Sequence, residues 1–521
     1  LSGVVDNGSV KIYGNYKFGL VLNGVSLTNP HGAAINIQCG KKITVTVVDG
    51  TNNRLIDGST YIYTEGEDMK ATFFAEGKLN MYGKGTLEIR GKNKHAICSD
   101  DYFHMYDGNI HIKESASDGI HAKDEVLIEG GILTIRSTKE GVESENDMVD
   151  ITGGVINIVT TGEKSHGFKS LGNMSVNSNG TIDIIVYGNA SKGFSAGGDM
   201  KVSKGTLNIM TAGDAFYETS EADISSNAGI KCDGALLIEE GGITIVSSGK
   251  GGKGISVDGE LVINGGTLTV TTSGGQYVYD KNNDTAAKAV KSEGNLTVNG
   301  GTIVLKTYGV EAEGLESKNI LTITGGNINV QAYDDCINAS THIQIDGGSI
   351  YCSSATNDGI DSNGTLTVTG GLIVSAGSTR PEEGFDCDRN RFTITGGTLV
   401  GIGGATSTPT ANVCTQRSLV YNSTGSNIQI VRIETTSGGK EVMTFKMPRV
   451  YSQQMTMLFS SPALEANTSY TVYTGGGIVG GTDFHGLFTG ATYTKGTSAG
   501  TFTTSQMVST VGSSGGGPGG R

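Results

Sequence analysis

In Ala355–Gly371, ATNDGIDSNGTLTVTGG, Asp358 and Asp361 stand three residues apart around a Gly-Ile step. Asp334-Asp335-x-x-Asn338 has the same spacing one unit earlier, and Glu383-x-x-Asp386, with Asp388 beside it, has it one unit later. Carboxylates collected from such steps, helped by Asn338, Asn357 and backbone carbonyls, would build a cage of about six to eight oxygens, the preference of Ca2+. The same acids would also serve as a solvated charged edge. Which reading holds depends on how the chain stacks these steps.

The Gly-apolar step recurs along most of the sequence. Gly119-Ile120, Gly141-Val142, Gly167-Phe168, Gly193-Phe194, Gly229-Ile230 and Gly254-Ile255 open successive units. Ala289-Val290, Gly314-Leu315, Cys336-Ile337, Gly359-Ile360 and Gly384-Phe385 continue them. Spacings run from 22 to 26 residues, except for two of 35 to 36 that carry insertions around Phe216–Ser226 and Gln276–Asp284. Each unit has a small residue two places after the apolar one, such as Ser144, Ser170, Cys232 or Ser362. A Gly, Asn or Asp turn follows, then two period-2 strands joined at a second, usually Gly-Gly, turn. Three short strands in so few residues exclude a propeller blade, which needs about 40. LxxLxL spacing is absent too. The expected fold is all-β, a parallel β-helix in which equivalent residues of successive turns stack about 4.8 Å apart.

Residues 1–404 are expected to form this helix, with looser turns at "GAAINI" (32–37) and "HAICSD" (95–100). Residues 405–510 keep alternating strands without the Gly-Gly ladder and read as a β-rich module capping the open end; 511–521 read as a Gly-rich flexible tail.

Stacking turns slots into columns. The slot before the Gly reads Asp118, Glu140, His166, Lys192, Ala228, Lys253, Lys288, Glu313, Asp335, Asp358, Glu383. The slot two after it reads His121, Glu143, Lys169, Ser195, Lys231, Ser256, Lys291, Glu316, Asn338, Asp361, Asp386. Four consecutive late units are acidic in the first column, and all but Asn338 are acidic in the second. Like charges one turn apart repel by about 1–4 kcal/mol at surface-like dielectric, so this edge needs a neutralising partner. Calcium is the expected one, with Asp334, Asp335, Asn338, Asn357, Asp358, Asp361, Glu383, Asp386 and Asp388 as its candidate ligands and room for more than one ion. Asp118, Glu140 and Glu143 form a weaker second candidate cluster.

The 521 residues include 82 Gly, 6 Pro and no Trp, and the net charge is −14. That charge argues against nucleic acid and anionic membrane surfaces. No apolar run is long enough for a membrane span. The 7 Cys form no metal-binding spacing and read as small core residues. The chain opens on Leu1 rather than Met, which fits a removed leader or trimming.

The late units "YDDCINAS", "NDGIDSNG" and "EEGFDCD", with the early "LVLNGVSLTNPHGAAINI" and the terminal "GGGPGG", resemble a bacterial carbohydrate-binding family with a pectate-lyase-like right-handed parallel β-helix. The resemblance covers nearly the whole chain. It implies secreted or surface-attached proteins that bind calcium and plant cell-wall polysaccharide, acidic sugars among it; a lipid anchor ahead of the trimmed start stays open. It also implies kinship with calcium-dependent pectate lyases carrying an Asp-Asp-x-x-Asp cage. Asp334-Asp335-x-x-Asn338 and Asn357-Asp358-x-x-Asp361 each depart from that cage by one Asn.

A lyase of that type needs a Lys or Arg base near the ion. Only Arg380, Arg389 and Arg391 lie in the last units, with Lys306 and Lys318 earlier, and arginine more often pairs with carboxylates. Paired Asp residues with a nearby His, as a hydrolase would need, are absent, and His342 is isolated. Binding is therefore favoured over catalysis, with Arg380, Arg389 and Tyr333 as candidate glycan contacts and the chain acting as a monomer. A calcium-dependent polysaccharide lyase and a structural surface protein or adhesin stay open as alternatives.

Overall fold

Runs of three to six alternating residues bounded by Gly, Asn or Asp make short strands, since each turn residue stops the run before it lengthens. A computed structural model describes residues 1–424 and 429–512 and has strands but no helix among them. It divides into two compact units, Leu1–Ala287 and Lys288–Arg521.

In the first unit one turn consists of Ile120–Ala122, Val126–Ile128 and Ile132–Ser137. Each strand pairs in parallel with its equivalent in the next turn: Ile120 with Val142, Val126 with Val149, Ile132 with Val155. The expected columns are real. Ile97, Ile120, Val142, Phe168, Phe194, Ile230 and Ile255 follow one another in register and are all buried. The Phe168 and Phe194 rings stack with centroids 5.2 Å apart. The small column also points inward. Ser99 Oγ reaches the carbonyls of Gly77 and Tyr102 at 3.0 and 2.9 Å, and Cys232 Sγ reaches those of Gly198 and Ala235 at 3.2 and 3.3 Å. Turn carbonyls that face the core thus find a short donor, and Ser and Cys are interchangeable there.

The Gly column has a steric cause. A Cβ on Gly119 would lie 2.4 Å from Ile135 Cγ2 and 2.6 Å from the Gly141 carbonyl oxygen. The third strand and the next turn therefore exclude any side chain. The two insertions form antiparallel hairpins, Phe216–Glu218 with Asp223–Ser225 and Tyr277–Asp280 with Asn283–Thr285. Tyr217 and Tyr279 stack across them at 3.9 Å. The structure departs from expectation at Met174–Val186 and Met200–Thr211, where the second and third strands of a turn run on as one. These two turns have Asn179-Gly180 and Lys204-Gly205 in place of the Gly-Gly pair, and their ladder shifts register instead of breaking.

The second unit repeats the pattern. Val290, Leu315, Ile337, Ile360 and Phe385 form its buried column. After Thr398–Gly403 the pairing changes character. Met455–Ser460 runs antiparallel to that strand and to Ser418–Ser423, so the last parallel strand is not a bare edge. Leu419, Tyr451, Met457, Phe459 and Tyr470 share a buried cluster with Val374, Val400 and Ile402. Of the expected tail, 513–521 lie outside the described residues. All seven cysteines are buried and unbridged, as their small-core reading expects.

Candidate functional site

The column slots of the second unit place its charges. Lys291, Glu316, Asn338, Asp361 and Asp386 are successive register partners. The first acidic turn is compensated: Lys288 reaches Glu313 at 2.5 Å and Glu316 at 3.2 Å, and Lys318 reaches Glu316 at 2.5 Å. The next three turns bring no lysine of their own, since the sequence contains none between Lys318 and Lys440, though Lys288 still acts on Asp334.

Asp358, Asp361 and Asp386 bring one carboxylate oxygen each within 4.8 Å of one another. Asp358 and Asp361 are buried and Asp386 half-buried. Asn338 Nδ2 donates to Asp361 Oδ2 at 2.6 Å and faces Asp335 Oδ2 at 3.4 Å. Asp335 Oδ1 accepts the Asp358 backbone N–H at 2.9 Å. Asp386 Oδ1 accepts from Ser407 Oγ at 3.1 Å. Glu383 keeps a buried Oε2 without a hydrogen-bond partner among the described residues.

Burial, reinforced by neighbouring carboxylates, pushes these acids far up. Asp335 rises to about 8, Asp358 to about 9, Asp361 to about 7 and Glu383 to about 8. Asp334 and Asp386 are raised as well, burial being the main cause. Buried carboxyls crowded together in this way favour a cationic partner.

Beside it lies a cavity of about 580 Å³ whose wall includes Asp358, Arg380, Glu382, Glu383, Asp386, Asn422 and Gln454. Arg380 Nη1 donates to Gln454 Oε1 at 3.2 Å. Of the remaining expected residues, Asn357 anchors its turn through its N–H to Ser354 Oγ, and Asp388 is exposed. Arg389 and Tyr333 do not line the cavity. Tyr351 is occupied in stacking on His485 at 3.8 Å.

In the first unit, Asp118, Glu140 and Glu143 do converge, with oxygens within 4.8 Å. Here positive charge is already present: Lys169 Nζ lies 2.7 Å from Glu143 Oε1 and 3.8 Å from Glu140 Oε1. Two histidines join them. His121 Nδ1 is 3.1 Å from Asp118 Oδ2, and His95 Nδ1 is 2.9 Å from the same oxygen. His95 was not among the expected site residues. The signal was present: "HAI" at 95–97 occupies the slots of "DGI" at 118–120, with Ala96 in the Gly position.

A family model described as carbohydrate-binding domain-containing protein matches residues 1–275 and 279–479. A protein of Acetivibrio thermocellus with the same description is 29% identical over 116 residues, 22% of this chain and 41% of that protein. The match therefore takes in less than two thirds of the relative's length. No solved structure matches the chain.

Proposed function

Because the chain belongs to the family of carbohydrate-binding domain-containing proteins, we propose that it binds an acidic polysaccharide outside the bacterial cell through calcium held at Asp358, Asp361 and Asp386. Carbohydrate binding is the coarse reading that the family supports. The ion, the acidity of the glycan and the location are the finer one.

The observation that carries it is the meeting of three buried or half-buried carboxylates, within 4.8 Å of one another, at a cavity with an arginine in its wall. A Ca2+ bound there would supply a centre of positive charge on a chain whose net charge is −14. Asp358, Asp361 and Asp386 would be its ligands. Asn338 holds Asp361 in place through its 2.6 Å hydrogen bond, and Asp335 ties the same turn to the Asp358 backbone. Arg380 offers a planar fork suited to a uronate carboxylate. The repulsion among the acids works in the same direction, since a cation relieves what their burial makes unfavourable.

The test is retention of the full chain on insoluble polygalacturonate and on cellulose, with calcium and with chelator, while the supernatant is followed for the ultraviolet absorbance of unsaturated uronides. Calcium-dependent retention on the acidic polymer with flat absorbance is expected. Rising absorbance would replace the binder by a lyase. Retention that ignores the chelator, or none at all, would remove calcium bridging from the account.

A further inference from the structure

We propose that the first unit carries a separate site for a divalent transition metal of the Zn2+ class, formed by His95, Asp118, His121 and Glu143. It shares no residue with the acidic site of the second unit and does not rest on the calcium reading.

Three successive turns deliver the ligands. His95 stands at the start of the strand His95–Ser99, Asp118 and His121 flank the next Gly-Ile step, and Glu143 is the register partner of His121. The four nitrogen and oxygen atoms follow one another at nearly equal steps. His95 Nδ1 to Asp118 Oδ2 is 2.9 Å, Asp118 Oδ2 to His121 Nδ1 is 3.1 Å, and His121 Nδ1 to Glu143 Oε2 is 3.0 Å. A tetrahedral ion with bonds of about 2.0–2.1 Å to imidazole and carboxylate has ligand-to-ligand edges of about 3.3 Å. His95, Asp118 and His121 bring one ligand atom each within 4.8 Å of one another, and Glu143 reaches the group through His121. Calcium is the wrong class, because it prefers longer bonds and oxygen-only cages, whereas imidazole suits zinc, copper and nickel.

Hydrogen bonding alone leaves the group incomplete. His95 Nδ1 lies 2.9 Å from Asp118 Oδ2 and His121 Nδ1 lies 3.1 Å from the same oxygen, so two imidazoles crowd one carboxylate oxygen. His121 Nδ1 faces two carboxylate oxygens and has one proton to offer at most. Lys169 takes Glu143 Oε1 at 2.7 Å, which leaves Oε2 turned to the group. Ligands drawn from three successive turns would make the site structural, a clamp across those turns.

The experiment uses the full chain, stripped with chelator, dialysed and titrated with CoCl2 and ZnCl2. One equivalent of Co2+ should give the intense visible bands of tetrahedral N/O coordination, and Zn2+ should displace it while excess Ca2+ does not. His95→Gln and Glu143→Gln, both at half-buried side chains, should each weaken Zn2+ binding by about 100-fold or more while leaving the far-ultraviolet spectrum unchanged. Asp358→Asn should leave the bands intact. The proposal is overturned by a featureless titration, by thiolate charge-transfer bands that place the ion on a cysteine, or by variants that bind as tightly as the parent. In those cases the cluster is a salt-bridged histidine network.

Discussion

The carboxyls of Asp335, Asp358, Asp361 and Glu383 hold protons to about 8, 9, 7 and 8, against about 4 in an unfolded chain. Between those values the folded state binds more protons than the unfolded one, so stability falls as pH rises. With chelator present, their contribution is complete below about pH 4 and is lost as pH climbs through 7 to 9. Calcium should flatten or invert that slope, because the ion takes the place of the protons. Urea midpoints across this range, with chelator and with calcium, measure it, and a chelator curve that stays level would count against the site. Asp358→Asn removes one charge without changing shape. In chelator near pH 9 the variant should be more stable than the parent by about 1–4 kcal/mol, one relieved repulsion. It should also lose most of the stabilisation that calcium confers.

At the scale of the element, the Gly step decides whether two acids can share one ion. A Cβ on Gly359 would lie 2.1 Å from Ser375 Oγ, whose hydroxyl donates to the Gly384 carbonyl at 2.6 Å. Gly359→Ala must turn that serine away and push apart a turn with a ligand on each side. A loss of about 1–3 kcal/mol is expected, together with the calcium-induced rise in melting temperature. Gly141→Ala meets Ile158 Cγ2 at 2.4 Å, a comparable clash far from these acids in the sequence. It should cost as much and keep the calcium response, so an equal response in both variants would sink the argument. The inward column predicts the opposite behaviour: Cys232→Ser should cost under about 1 kcal/mol by thermal melting, because the Gly198 and Ala235 carbonyls already face a donor there. These columns were legible in the sequence because a repeat with a fixed Gly fixes the register, and register places Asp361 beside Asp386. His95 was missed although "HAICSD" (95–100) reads as a looser turn, because the charge columns start only at Asp118, one turn later. The cavity was not legible. Asn422 and Gln454 come from a stretch without the repeat, and no period says which side chains it lays against the acidic turns.

At the scale of the molecule, solenoid stability is close to a sum over turns and their neighbours. From Ile97 to Ile255 in the first unit and from Val290 to Phe385 in the second, each turn pairs in parallel with the turn before and after it, two turns of the first unit having their second and third strands joined. An ion held by one set of turns should therefore stabilise those turns and the ones next to them, and little else. Hydrogen exchange on the full chain separates the cases. Calcium added to chelator-treated protein should slow exchange in roughly residues 335–407 and the segments packed on them, and leave 95–170 unchanged. Zn2+ should slow 95–170 and leave the acidic turns unchanged. Protection spread evenly over the chain by either ion would mean a general charge effect on an acidic protein, since screening of a net −14 does not distinguish turns. Protection by calcium at 95–170 would show that the histidines do not set the metal preference there. The two ions thus report on each other: only if each protects its own turns does the column arrangement, rather than the overall charge, determine what the chain binds.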